Sequence, residues 1–238
     1  MIDFPIDFIA FECEKFGLII DETTKTQMKT YCELLISWNQ KTNLTTIVEP
    51  NEIAEKHFLD SLLLLKHLNI PKGASLIDVG TGAGFPGMML KLVRPDLNIT
   101  LLDSLNKRLI FLSEVCSALN IDISLIHSRA EDAGLHPDFR EKFEFATSRA
   151  VSSLPALSEY CLPLVKKGGE MIALKGPAPT AELISSANAL KMLGGETSKV
   201  IEYSLPRGDG RSIIIIKKIS QTDSKYPRKG VKISKKPL

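Results

Sequence analysis

The chain is short of cysteine, of long apolar runs and of any large charge excess, and each shortage removes a class of protein. Its four cysteines (Cys13, Cys32, Cys116 and Cys161) fall singly, with no C-x-x-C pair. That spacing excludes a disulfide framework and a metal site, and buried free thiols fit a reducing cytoplasm. No apolar stretch approaches the ~18 residues of a membrane-crossing helix. The opening MIDFPIDFIAFECEKFG carries Asp3 and Asp7 where a signal peptide carries Lys or Arg, so secretion is not expected. With 15 Gly, 13 Pro and 44% hydrophobic residues among 238, collagen, coiled coil and wholesale disorder are excluded. What remains is a globular chain of one large domain, or one domain with a small appendage.

The near-neutral balance of +2 conceals an uneven distribution. Residues 217–238 hold Lys217, Lys218, Lys225, Arg228, Lys229, Lys232, Lys235 and Lys236 against Asp223 alone, a net +7, which leaves −5 on the residues before them. The stretch is poor in apolar side chains after Ile219 and reads as a flexible basic arm. Such an arm either solubilises the chain or contacts a phosphate-rich polymer, with Tyr226 and Arg228 as stacking groups and Lys225 and Lys229 as further cations.

Periodicity divides what precedes the arm. Residues 1–70 are helical: Met28, Tyr31, Leu34, Leu35 and Trp38 make one stripe, and Ile53, Phe58, Leu62 and Leu65 another, with the polar connection WNQKTNLTT between them. Over 71–219, short apolar runs alternate with helical segments: SLIDVG, NITLLDS, DISLIHS, FEFATSRA, GGEMIALKG, TSKVIEYSL and RSIIIIKKI. Seven strands separated mostly by helices imply a mainly parallel α/β sheet with right-handed crossovers. Only PRGDG separates the last two strands, so that pair should be antiparallel. The domains are then a helical cap (1–70), an α/β domain (71–219) and a flexible basic tail (220–238).

The strongest local signal is LIDVGTGAGFPG at 76–87, a strand entering a glycine turn and then a helix. Gly80, Gly82 and Gly84 let a ligand approach bare backbone, and a helix from about Phe85 would aim amides at a polar group. The next strand ends at Asp103, 23 residues after Gly80, where a carboxylate can accept from a ribose diol. Together these make a nucleoside pocket. Gly82, Gly84 and Gly87 also satisfy G-x-G-x-x-G, so a nicotinamide-dependent oxidoreductase is a rival reading, and a non-catalytic RNA- or nucleoside-binding module is another. S-adenosylmethionine is favoured by Asp78, placed to organise the turn and reach the methionine ammonium, and by the helical cap before the glycine strand. Nothing after residue 150 resembles a second domain with a hydride relay.

WNQKTNLTT, KHFLDSLLL, LIDVGTGAGFPGM, LVRPDLNITLLDSLNKRLIFL, the SRA after the fourth strand, ALKG and YPRK occur in this order. In these motifs the chain resembles the bacterial small-subunit ribosomal RNA guanine-N7 methyltransferases, the glucose-inhibited division protein B family. The resemblance covers roughly residues 30–238 and departs only in GVKISKKPL at the end of the tail. It implies a class I, Rossmann-like methyltransferase fold, S-adenosylmethionine as donor and no metal. It also implies N7 of one guanosine in 16S rRNA as acceptor, in the small subunit or an assembly intermediate, and a monomeric cytoplasmic enzyme without membrane contact. It further implies that Gly80 and Phe85 line the donor pocket, that Ala130 and Glu131 border the adenine, and that Arg149 closes the site.

Several polar residues have both a functional and an ordinary reading. Arg149, ending the fourth strand, and Lys175, closing the fifth, are positioning candidates for a carboxylate, a phosphate or guanine O6; either can equally be a salt-bridged surface cation. Lys107 and Arg108, just past Asp103, can face RNA backbone or water. His57 and Asp60 share a helix face, where a satisfied histidine is the plainer reading and a positioning role near the site the other. His67, His127 and His136 read as structural. Guanine N7 has a free lone pair and no proton, so no general base is assigned, and catalysis reduces to alignment.

Overall fold

The computed structural model describes residues 3–238. Helices α1 (Ile6–Glu14) and α2 (Glu22–Thr42) open the chain, and Asp21 caps α2 by accepting from the Thr24 amide at 2.7 Å. Met28, Tyr31 and Leu35 are fully buried along α2, and Leu34 and Trp38 pack at the edge of that stripe. The next helical run is broken into α3 (Pro50–Ile53), a π-helical stretch (Ala54–Leu59), α4 (Asp60–Leu62) and α5 (Leu64–His67). A π turn sets residues five apart on one face, which is why Ile53 and Phe58 are both buried.

The sheet consists of β1 (Ser75–Val79), β2 (Asn98–Asp103), β3 (Ser124–His127), β4 (Phe143–Arg149), β5 (Val165–Lys175), β6 (Gly195–Ser204) and β7 (Gly210–Lys218), in the order β3-β2-β1-β4-β5-β7-β6. Its helices are α6 (Gly87–Val93), α7 (Asn106–Leu119), α8 (Ala130–Leu135), α9 (Leu154–Cys161) and α10 (Thr180–Leu193). The first five strands pair in parallel and β7 runs antiparallel between β5 and β6, as the short turn before it requires. Ile213 and Ile215 pack with the N-terminal helices while Ile214 and Ile216 pack with α9 and α10. A continuous apolar run is what a strand covered on both faces needs.

Strand order reverses between β1 and β4, where the chain has returned from the β2–β3 edge. Loops leaving the carboxyl ends of these strands diverge there, and that crevice is where open α/β sheets bind ligands. Among the described residues no helix is long and apolar enough to cross a membrane.

The stretch expected to be a flexible arm is folded onto the body. Tyr226 and Ile233 are buried, and a short helix, α11 (Gly230–Lys235), follows. Arg140 donates to the carbonyls of Gly134, Thr222 and Tyr226, and the Thr222 amide donates to Glu141. Arg228 grips the fully buried Glu159 through Nε at 2.9 Å, Nη2 at 2.7 Å and its backbone amide at 2.8 Å. Composition misses this because the partners come from elsewhere in the chain, and a bidentate buried pair orders a segment that few apolar side chains could order alone.

Candidate active site

Three cavities run side by side along the crevice. The first, about 380 Å³, is lined by Gly80, Asp103, Ala130, Glu131, Val151 and Tyr160, with residues of α11. The second, about 440 Å³, shares Gly80, Asp103 and Val151 with it and adds Gly82, Phe85, His57, Arg108 and Arg149. The third, about 300 Å³, shares His57 and Arg149 with the second and is lined also by Lys56, Asp60, Lys175 and Arg211.

The glycine turn is held open by its neighbours. Gly80 has φ +68°, a conformation that L side chains rarely adopt, and a Cβ there would lie 2.7 Å from a Val151 methyl, which would have to move. Asp78 organises the turn, as its position suggested: Oδ2 accepts from Thr81 Oγ1 at 2.7 Å and from the Gly87 amide at 3.0 Å, and Thr147 Oγ1 lies 3.3 Å from Oδ1. It is wholly buried and lines none of the three cavities. Burial pushes its carboxyl pKa up, against those three hydrogen bonds and the Arg149 charge. Helix α6 begins at Gly87 rather than at Phe85, and its first amide is spent on Asp78.

Asp103 borders the first two cavities. Its carboxylate accepts from the Gly82 amide and the Leu105 amide, each at 2.9 Å, and from Arg108 Nη1 at 3.1 Å. Arg108 is therefore turned inward onto Asp103. Ala130 and Glu131 open α8 at the far side of the first cavity, with Glu131 nearly buried.

Phe85 lies at the centre of an aromatic stack. Tyr31 is parallel to it at 5.3 Å and donates through its hydroxyl to the Ala83 carbonyl; His57 stacks at 4.8 Å, and the Arg149 guanidinium lies 5.3 Å from the ring centroid. Arg149 is held by the Lys56 carbonyl at 3.0 Å, Asp60 Oδ2 at 3.3 Å and His57 Nδ1 at 3.1 Å. Asp60 also accepts from the Tyr203 hydroxyl at 2.7 Å. The guanidinium is thus a partly buried group, held through both Nη atoms where the second and third cavities meet, rather than a surface ion pair. His57 is likewise no helix-surface histidine: burial first, then the Arg149 charge, push its pKa down to about 3.

The remaining cations divide. Lys175 reaches the Ser152 carbonyl at 2.6 Å and Glu182 at 2.7 Å, and Arg228 is consumed by Glu159. Lys107 is exposed with its ammonium on the Thr42 carbonyl, Lys225 is exposed beside Asp223, and Lys229 is exposed. Thr147, Tyr203, Arg211 and Glu159 carried no sequence signal of their own; Tyr31 was read only as part of the first apolar stripe, and Thr45 stood within the quoted WNQKTNLTT motif.

A donor nucleoside fits the first two cavities on this structure's own terms. Bare glycine backbone and a carboxylate at Asp103 border a space whose Val151 side chain is left 42% exposed. Comparison with known proteins agrees. Residues 24–210 match the family model GidB, described as rRNA small subunit methyltransferase G. The chain belongs to the GidB family. One similar GidB relative is the "Ribosomal RNA small subunit methyltransferase G" of Desulforamulus reducens, 48% identical over 92% of both chains. Another, of the same name, is from Lactobacillus johnsonii, 47% identical over 98% of this chain and 99% of its own. Among solved structures, TrmN from Thermus thermophilus superposes with a TM-score of 0.52 at 18% identity, over 67% of this chain and 48% of that one. A 16S rRNA (adenine(1408)-N(1))-methyltransferase from Catenulisporales acidiphilia, solved with its cosubstrate SAM, gives 0.52 at 14% identity over 64% and 88%. The seven-stranded sheet of this GidB member is thus the class I methyltransferase fold, and the oxidoreductase and binding-module readings gain no support.

Proposed function

We propose that the chain methylates 16S ribosomal RNA at N7 of one guanosine, with S-adenosylmethionine as donor. When bound, the donor supplies an electrophilic sulfonium methyl and a neutral thioether leaving group. Gly80, Gly82, Asp103, Ala130 and Glu131 would hold its nucleoside, and Phe85 with Arg149 would border its reactive end. The third cavity, next to Arg149 and His57, would receive the base.

The observation that carries this reading is the engagement of His57 and Asp60 where the second and third cavities meet. His57 Nδ1 accepts from Arg149, and Asp60 accepts from Tyr203 and Arg149. Residues so engaged position an acceptor and do not take a proton from it. Guanine N7 brings no proton, so this wall suits it, and alignment alone supplies several kcal/mol. The exposed Lys107, Lys225 and Lys229 serve RNA phosphates in this reading, and the enzyme acts as a cytoplasmic monomer on 16S rRNA in the small subunit or an assembly intermediate.

The test is transfer of labelled methyl to 16S rRNA and to small subunits from cells lacking this protein, followed by nuclease digestion. A single 7-methylguanosine is expected. Label on another base, or none on either substrate, would overturn the reading.

A further inference from the structure

The first cavity is not bounded by the sheet domain alone. Gly230, Val231 and Ser234 of the C-terminal segment line it beside Glu131 and Tyr160. This segment is fixed independently of any ligand. The Arg228–Glu159 grip lies two residues before Gly230, and Ile233 is fully buried three residues after it. Gly230 lies so close to the Glu131 carboxylate that a Cβ would collide with it, so the approach is made by backbone. Val231 is left 68% exposed although it lines a cavity, and Val151, from a distant loop on the same cavity, is left 42% exposed.

One exposed valine needs no explanation. Two from distant segments, lining one cavity that also holds the Asp103 carboxylate, match a molecule with a flat apolar body and a hydroxylated part. A purine nucleoside has that chemistry. We propose that residues 230–234 form a wall of the donor site and that Val231 and Val151 give apolar surface to the adenine. The proposal rests on the donor reading above and extends it to a segment whose composition suggested only RNA contact. A donor that covers Val231 adds to the hold that Arg228 and Ile233 already have on α11.

The experiment is calorimetric titration of the full chain with S-adenosylhomocysteine, beside Val231→Asp, Val231→Leu and a chain ending at Lys229. That truncation keeps Tyr226 and the Arg228–Glu159 pair, and Val231 is exposed enough for its replacement to leave the fold intact. The expected result is a loss of about tenfold or more in affinity for the truncation and for Val231→Asp, with affinity kept by Val231→Leu. Unliganded melting temperatures of the full-length chains should stay close together, which separates a binding role from a structural one. Equal affinities for wild type and Val231→Asp would overturn the proposal and leave the donor reading standing. A wild-type chain that does not bind S-adenosylhomocysteine would sink the donor reading and this proposal with it.

Discussion

Arg149 Nη2 lies 3.1 Å from His57 Nδ1, and because a guanidinium only donates, the imidazole must accept there. The ring proton is then on Nε2, which lies 2.8 Å from Thr45 Oγ1. One contact therefore decides tautomer, charge and orientation of a histidine stacked on Phe85. A histidine whose Nδ1 lone pair is taken and whose pKa is pushed down to about 3 is a spacer and a wall.

His57→Gln should consequently lower the single-turnover rate by no more than about tenfold, through positioning alone. Between about pH 6.5 and 9 that rate should be level for both proteins, since neither His57 nor the N7 it faces has a proton to exchange in the transfer. A wild-type rate rising tenfold per pH unit, or a His57→Gln loss of three orders of magnitude, would make His57 a base.

The same histidine shapes acid stability. It is neutral in the fold down to about pH 3 and ordinarily titrates at 6.5, so between those values the unfolded chain binds a proton that the folded chain does not. Stability should fall as pH drops through this window. Urea midpoints at pH 7.5 and pH 5 should separate more for wild type than for His57→Gln, and His67, also held low by burial, cancels in the comparison. Equal separations would contradict the assignment.

Asp103 accepts from the Gly82 amide, and in the proposed donor site it would take the ribose. Asp103→Asn removes the charge and one acceptor oxygen, and about 1.5–3 kcal/mol is typical for hydrogen bonds to a charged group. S-adenosylhomocysteine affinity should drop by roughly tenfold to a hundredfold, read by calorimetry. An unchanged affinity would place the ribose elsewhere.

The pair formed by Arg228 and Glu159 predicts a different behaviour. Arg228→Met leaves Glu159 buried and unpaired, which costs about 3–5 kcal/mol. Adding Glu159→Leu should restore much of that loss, because the buried charge goes as well. Chemical denaturation of both single variants and the double variant measures the coupling, and additive effects would show that the clamp is not formed in solution.

Much of the α/β organisation is legible from period and spacing. The alternation of SLIDVG, NITLLDS and DISLIHS with helical segments places three parallel strands, and PRGDG turns the last strand back. Gly80 and Gly82 with Asp103 mark the pocket, since local backbone geometry and a strand-end carboxylate are written in neighbouring residues, whereas Gly84, expected to line it too, is buried against Tyr31, Leu112 and Met88 and borders none of the three cavities. The helix break at Ala54–Leu59 is not legible, because a π turn is selected by what its faces pack on. Nor is the fate of charges: Arg108, Arg149, Lys175 and Arg228 look alike in sequence, yet each has found a different partner in the fold. The basic tail shows the limit best. Its residues determined how much charge it carries, while only the tertiary structure decided that Arg228 meets Glu159 and that Val231 lines the first cavity, because an ion pair between residues 69 positions apart depends on where the sheet and α9 have put the second partner.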